Sequence, residues 1–430
     1  MAARRPVAGT DSGLTDPAAA HASPGLHGAG ALYVCYLGLD EPLVQTQVLP
    51  YLREIAAAGV RTSLLTFEPQ LRRRWPPQRM AARKAGLLAD GIVWHAKPYH
   101  KRPSLPATLW DILVGAWFAV RLSRREPLHI VHGRSHVGAA IGVLAKTVTS
   151  VRVLFDVRGF LPEEYVDKGR WKRGGYLFAW TKAAERHLFR NADGFVVLTE
   201  RARATLFPDR AGDGRPVELI PCCTDQRRFG SLTARDREAV RRRLGLTDRL
   251  VFVYAGTVGG AYLARELGTF LGVARERDRR AFVLILTQSP ADALVEPLLA
   301  AGFSTADFTV VHAEPDDVAQ YLWAADVGLA PVRPSFSAGA ASPTRYAEYL
   351  AAGLPIVTTA GIGDLDGDIV EHDVGVRLES FDRAACLAAV EALERLRNDP
   401  DTALRCRRLG RQKYDLQTIG APRYRNLYRR

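Results

Sequence analysis

Short runs of aliphatic and β-branched residues alternate with longer amphipathic segments along most of this chain, the pattern that builds parallel α/β sheets. In the first half, residues 32–37, 62–67, 92–95, 130–132, 151–156, 194–198 and 217–220 read as strands. Helical periodicity fills the intervals at 42–58, 109–123, 137–148, 176–189 and 200–207, and Gly59 stops the first of these. A Pro-Cys-Cys-Thr-Asp-Gln-Arg-Arg-Phe segment at 221–229 and a charged helical stretch at 235–244 lead into a second series. There the strands fall at 250–255, 282–287, 308–312, 327–331 and 355–359, and the helices at 262–277, 292–300, 315–324, 343–352 and 384–396. Two successive open α/β sheets predict two Rossmann-like lobes facing an interdomain cleft, with ligands held beyond the carboxyl ends of the strands. The expected divisions are a disordered leader at 1–30, a first lobe at 31–222, a second lobe at 223–412, and a helical tail at 413–430 packing back on the first lobe.

Composition narrows this picture. The 430 residues suit two domains, and 47% hydrophobic with 24% charged residues is ordinary for a globular protein with sizeable cores. Five scattered cysteines without a C-x-x-C pair argue against a disulfide framework or a zinc site, and for a reducing, cytoplasmic setting. Residues 1–30 are rich in Ala, Gly, Ser, Pro and His and lack periodicity. Arg4 and Arg5 precede no apolar run, so no secretory signal is expected. The most apolar stretch, 109–120, contains Asp111 and falls short of the roughly 20 residues of a membrane span, so no transmembrane anchor is expected.

A net charge of +13 calls for an acidic partner: nucleic acid, an anionic lipid surface or a phosphorylated substrate. Basic residues are densest at Arg72, Arg73, Arg74, Arg79, Arg83 and Lys84, around Trp75, and in the tail from Arg405, where nine face Asp415 alone. An Arg-rich solvated surface explains these equally well. No nucleic-acid module signature is present, so attraction to an anionic membrane surface or to phosphate is the better functional reading, and nucleic acid is not an expected partner.

The segment 342–357 carries the most chemistry. Ser342 suits an N-cap, Pro343 the first helical position and Gly353 the C-terminal stop. The helix start at Ser342, Pro343 and Thr344, with free backbone N–H groups in its first turn, favours phosphate, and Arg345 adds a guanidinium fork. Glu348, three residues on, shares a face with Arg345 and can accept hydrogen bonds from a ribose diol. An ordinary surface ion pair between Arg345 and Glu348 is the plain alternative.

The stretch from Ser342 to Val357, continued to Asp364, closely resembles the nucleotide-binding signature of family-4 retaining glycosyltransferases of the GT-B fold. Gly38-Leu39-Asp40-Glu41-Pro42, Phe155-Asp156-Val157-Arg158-Gly159, Ile220-Pro221-Cys222-Cys223-Thr224-Asp225 with Phe229, and Ala324-Ala325-Asp326-Val327 resemble further segments of that family, so the likeness spans roughly 31–430. It implies a UDP- or GDP-sugar as donor, a glycan or lipid-linked acceptor in surface polysaccharide or glycoconjugate synthesis, and retention at the anomeric carbon. It also implies a peripheral position at the inner membrane face. No cofactor beyond the donor and no metal is expected.

By the same likeness Glu348 holds the donor ribose, Arg345 the diphosphate, and Arg158 stands where relatives carry a catalytic His. Gly38 would approach the reactants closely at the end of the first strand. The family's acid eight residues before Glu348 is replaced by Ala340, and the usual Arg and Lys after Gly256 are absent. Gly256, Thr257, Gly259 and Gly260 would offer backbone N–H groups instead, with Arg265 or Arg345 supplying charge. Two other readings stand beside this one: a sugar-nucleotide epimerase of the same architecture, and a non-catalytic basic membrane-docking protein.

Other features weigh less. Asp364, Asp366 and Asp368 lack the Gly that a calcium loop needs at its sixth position, which is Ile369, and are expected to cap and charge a short helix. Glu163 and Glu164 read as exposed loop acids before they read as an acceptor base, and His132, Arg134 and His136 as interior or rim residues.

Overall fold

The computed structural model describes residues 28–208, 214–230, 233–258 and 263–430. Two parallel sheets form its two lobes. The first runs β3-β2-β1-β4-β5-β6-β7 and the second β10-β9-β8-β11-β12-β13. The strands of the first are β1 (Gly30–Cys35), β2 (Arg61–Glu68), β3 (Ile92–Pro98), β4 (Ile130–Arg134), β5 (Arg152–Asp156), β6 (Gly194–Val197) and β7 (Val217–Leu219). Those of the second are β8 (Leu250–Ala255), β9 (Ala281–Leu286), β10 (Phe308–Val311), β11 (Val327–Ala330), β12 (Ile356–Thr359) and β13 (Gly375–Leu378). Central strands such as β1, β8 and β9 are buried at every position, as helices on both faces of a parallel sheet require.

Twelve of these strands follow the predicted apolar runs. β13 was not predicted: Gly-Val-Arg-Leu at the sheet edge is only partly buried and makes no apolar run. The helix expected over 42–58 divides into Pro42–Gln47 and Leu49–Ala57 at Val48, because Pro50 has no N–H to continue the first ladder. Helices Pro77–Ala89 and Thr402–Lys413 were also not predicted as elements, while helix Ala421–Arg429 lies within the expected helical tail.

Two readings of local structure change here: the length of the apolar stretch and the exposure of Trp75. The apolar stretch forms a 20-residue helix, Ser104–Ser123, long and apolar enough by length and composition to cross a membrane. The acid that counted against it, Asp111, is turned inward. It accepts from Tyr36 Oη at 2.7 Å and from the His100 N–H at 3.0 Å. Trp75, read with the basic cluster as surface, is buried instead. Its Nε1 donates to Glu68 at 2.9 Å and its ring meets Trp94 edge-on at 4.7 Å.

The tail returns to the first lobe. Thr224 and Asp415 bridge the two crossing segments, and helix Ala421–Arg429 inserts Tyr424, Leu427 and Tyr428 into the core that holds Tyr33, Tyr51 and Leu154. Residues 223 onward therefore do not form a self-contained unit, since their last helix completes the other lobe's core.

Candidate functional site

The strand ends of the second lobe carry helix Thr344–Ala352, buried from Arg345 to Ala352. Its Tyr349 pins it to the sheet: the hydroxyl accepts from the Ala255 N–H at 2.9 Å and donates to the Leu329 carbonyl at 3.1 Å. Gly328 makes room for that ring, since a Cβ there would lie 2.4 Å from it. The helix stops at Gly353, whose φ of +82° is left-handed and suits glycine.

Ser342 is not the N-cap. Pro343 occupies that position with extended backbone (φ −65°, ψ 124°), and no side chain caps the first turn. The Ser342 Oγ instead accepts from the Cys222 N–H at 3.1 Å, across the segment that joins the lobes. A buried hinge N–H needs an acceptor, and that demand outweighs the local cap.

Arg345 and Glu348 come together at the end of β8. The Arg345 guanidinium lies over the Tyr254 ring at 4.6 Å and against Gly256, where a Cβ would sit 2.5 Å from Nη2. Gly256 holds φ +123°, a left-handed conformation that few side chains tolerate. One turn on, Glu348 is buried, and burial raises its carboxyl to about 7 against the attraction of Arg228 and Arg345. Sequence reasoning missed Arg228. Its one signal was its place in the Gln-Arg-Arg-Phe run of the joining segment, from which Nη2 donates to the Pro315 carbonyl.

Arg158 approaches from the first lobe. It donates to Asp156 Oδ1 and to Cys222 Sγ, each at 3.3 Å, so Cys222 links Arg158 to Ser342 at the head of the second-lobe helix. Beneath it lies a buried polar cluster. Arg134 Nη1 and His132 Nε2 stand 3.7 and 3.9 Å from Asp156, and His132 Nδ1 is 2.9 Å from Tyr428 Oη. Burial alone would raise the Asp156 carboxyl, but the Arg158 and Arg134 guanidiniums hold it below the ordinary range. Burial lowers His132 to about 4, so it is neutral near pH 7. His132 and Arg134 thus sit inside, and His136 is buried with Glu185 at 3.0 Å.

The remaining candidates are placed as follows. Gly38 packs on Glu68, whose Oε2 would lie 3.0 Å from a Cβ at that position, and Leu39 N donates to Glu68 Oε1 at 2.8 Å. Thr257 is exposed, and its carbonyl accepts from Tyr254 Oη. Gly259 and Gly260 lie outside the described residues. Arg265 lines an open groove of about 430 Å³ with Glu296 and Arg333, on the second lobe. Glu163 is buried, 3.1 Å from Lys182, while Glu164 pairs with Lys168. Among the described residues no three His, Cys, Asp or Glu side chains converge as a metal site would need.

Asp364 does not cap its own helix by a side-chain bond. Its carboxylate accepts from the Glu200 and Arg201 N–H groups of the first lobe at 2.8 and 3.4 Å. Asp368 is buried and bonded to Lys413 and Tyr414. Further clasps join the lobes: Thr199 Oγ1 donates to the Gly339 carbonyl at 2.9 Å, Ser337 N donates to Asp167 at 2.9 Å, and Phe160 stacks on Phe336 at 5.2 Å.

Two parallel-sheet lobes, joined where Arg158 and Ser342 meet at Cys222, define the GT-B architecture. Solved structures agree along nearly the whole chain. The glycosyltransferase from Rickettsia africae ESF-5 matches with TM-score 0.68 at 13% identity, over 93% of this chain and 97% of its own. Anabaena Alr3699/HepE, solved with UDP and glucose, matches with TM-score 0.66 at 13% identity, over 93% and 99%. Sucrose-phosphate synthase from Thermosynechococcus elongatus matches with TM-score 0.69 at 16% identity, over 93% and 98%. No curated protein sequence matches. Residues 44–223 match the family model of the glycosyl transferase 4-like domain. The chain therefore has the GT-B fold, and residues 44–223 of its first lobe are similar to the glycosyl transferase 4-like domain.

Proposed function

We propose that this protein transfers a sugar from a UDP- or GDP-sugar to a hydroxyl of a glycan or lipid-linked acceptor, with retention at the anomeric carbon. The observation that carries the reading is the burial of Arg345 and Glu348 on one helix at the end of β8, with Arg158 of the other lobe bonded to Cys222, whose N–H bonds Ser342 at the head of that helix. Breaking the bond between the anomeric carbon and the diphosphate oxygen leaves extra negative charge on the diphosphate. Preorganised cations and N–H groups aimed at that oxygen are the largest lever on such a step. Arg345, the uncapped first turn of helix Thr344–Ala352 and the exposed backbone at Gly256 and Thr257 supply them without a protein-bound metal. The acceptor oxygen approaches from the leaving-group side, forms the new bond to the anomeric carbon and passes its proton to the departing diphosphate oxygen. Glu348 receives the ribose diol, which gives its buried carboxylate hydrogen bonds that solvent no longer supplies.

Neighbouring structures support the donor class: Anabaena Alr3699/HepE has also been solved with UDP-glucose. WaaG, a glycosyltransferase involved in lipopolysaccharide biosynthesis, shares the fold with TM-score 0.63 at 15% identity. A role in surface polysaccharide or glycoconjugate synthesis, at the cytoplasmic face of a membrane, follows from the same likeness. The test is a thermal-shift screen of nucleoside diphosphates, followed by hydrolysis of the corresponding nucleotide-sugars. UDP or GDP should raise the melting temperature, and Arg345→Ala and Glu348→Ala should each reduce the shift. A protein that responds to no nucleoside diphosphate, or equally in all three forms, would end this reading.

A further inference from the structure

Helix Ser104–Ser123 is docked tightly on one side. A Cβ at Gly115 would meet Ile141 at 2.5 Å and Phe67 at 3.2 Å, and Ala107, Asp111, Ala116, Ala119 and Leu122 are buried with it. On the other side Leu105, Leu109, Leu113 and Trp117 recur every fourth residue and Trp110 flanks them, each between 53 and 58% exposed. That spacing places them in one stripe along a helix about 30 Å long. A stripe of this size with no partner among the described residues marks a surface made to be covered.

The charges around the stripe identify the cover. Residues 97–126 carry six Lys and Arg against Asp111 and Glu126, and Asp111 is spent inward on Tyr36 and His100. Lys101 and Arg102 precede the stripe, and Arg121, Arg124 and Arg125 follow it, all exposed. Lys97 and Arg121 also stand over the Trp117 ring at 6.0 and 5.5 Å. Two copies packed along this stripe would bring cationic flanks together in either direction. An anionic lipid surface neutralises both flanks while it takes up the leucines and tryptophans, the arrangement of a helix lying in the plane of the headgroups.

We propose that the outward stripe of helix Ser104–Ser123 is a membrane-docking face that lies flat in the headgroup region of an anionic bilayer, with its other face kept on the first lobe. The Asp111–Tyr36 bond anchors the helix two residues before Gly38, beside the carboxyl end of β1. Docking through this helix holds the strand-end edge of the first lobe close to the lipid. The inference deepens the lipid-linked acceptor reading and rests on it only for what the docked cleft would meet.

The test pellets the full chain with vesicles of phosphatidylcholine alone or mixed with phosphatidylglycerol, at low and high salt. The wild type should pellet with the mixed vesicles at low salt and be released by high salt or by omitting the anionic lipid. Trp110→Glu with Trp117→Glu should weaken pelleting at least about tenfold, since each change removes a full aromatic burial. The nucleotide-induced melting shift of that variant should be unchanged, which shows it is folded. A wild type that stays in the supernatant, or a variant that pellets as well as the wild type, would overturn the proposal. So would a wild-type dimer that the variant dissociates, because the stripe would then cover a second copy. Vesicle binding without any nucleotide response would retain the docking face and remove the transferase reading.

Discussion

Glu348 is costly where it stands. A carboxyl raised from 4.5 to about 7 holds more protons in the native than in the unfolded state between those values, so the fold loses stability as pH rises through this window. The accumulated loss above pH 7 is about 3 kcal/mol. Glu348→Gln should therefore melt higher than the wild type above about pH 7, with the gap closing below about pH 4.5. Donor affinity should behave in the opposite sense. A ribose diol donates better to a carboxylate, so wild-type affinity should rise through about pH 7 and that of Glu348→Gln should be flat and weaker. Titrations of UDP across pH by calorimetry measure both. Loss of the charged interaction at Arg345 should cost about 1.5–3 kcal/mol of donor binding, so Arg345→Ala should raise the donor KM about tenfold or more, with little change in acceptor KM. On the first lobe, Asp156→Asn removes the charge that orients Arg158. A fall in kcat at an unchanged donor KM would assign Arg158 to the chemical step, whereas equal kinetics would remove it from the site.

The element scale shows which parts of the sequence could be read and which could not. The helix–strand unit from Thr344 to Thr359 was legible because local rules agree there: an apolar face, a glycine stop at Gly353 and a buried strand at once after it. The cap was misassigned because the partner of Ser342 is Cys222, 120 residues away, and no local rule sees it. Arg228 and Tyr254 escaped for the same reason, since only the packed fold puts one near Glu348 and the other under Arg345. Trp75 was misjudged because its basic neighbours are exposed while its ring is not. The glycine after β8 tests the packing argument directly. Gly256→Ala would place a methyl 2.5 Å from Arg345 Nη2 in a backbone conformation that alanine resists, so it should reproduce the donor defect of Arg345→Ala. A Gly256→Ala protein with wild-type donor affinity would show that the guanidinium position is immaterial.

At the scale of the whole molecule, the two lobes are fastened by few groups, and most belong to segments beside the junction. Asp364 is one of two carboxylates among them, with Asp167. It supplies a carboxylate to two N–H groups at the start of helix Glu200–Leu206, where a helix end favours negative charge. Burial raises this carboxyl, so acidification removes its charge before that of an exposed aspartate. The other clasps, Thr199 to Gly339 and Ser337 to Asp167, involve short polar bonds that a modest rotation would break together. Because the chain crosses back at Asp415 to place its tail helix in the first lobe, opening must pivot about the paired crossings at Thr224 and Asp415, which keeps the lobes associated after the clasp is lost. Asp364→Ala should thus shift the balance toward an open form by about 1–3 kcal/mol without unfolding either core. Small-angle scattering of the ligand-free variant should give a larger radius of gyration that returns to the wild-type value with nucleoside diphosphate. The donor KM should rise, because part of the binding energy is then consumed in closing the lobes. Scattering and kinetics that match the wild type would mean that the remaining contacts close the cleft alone.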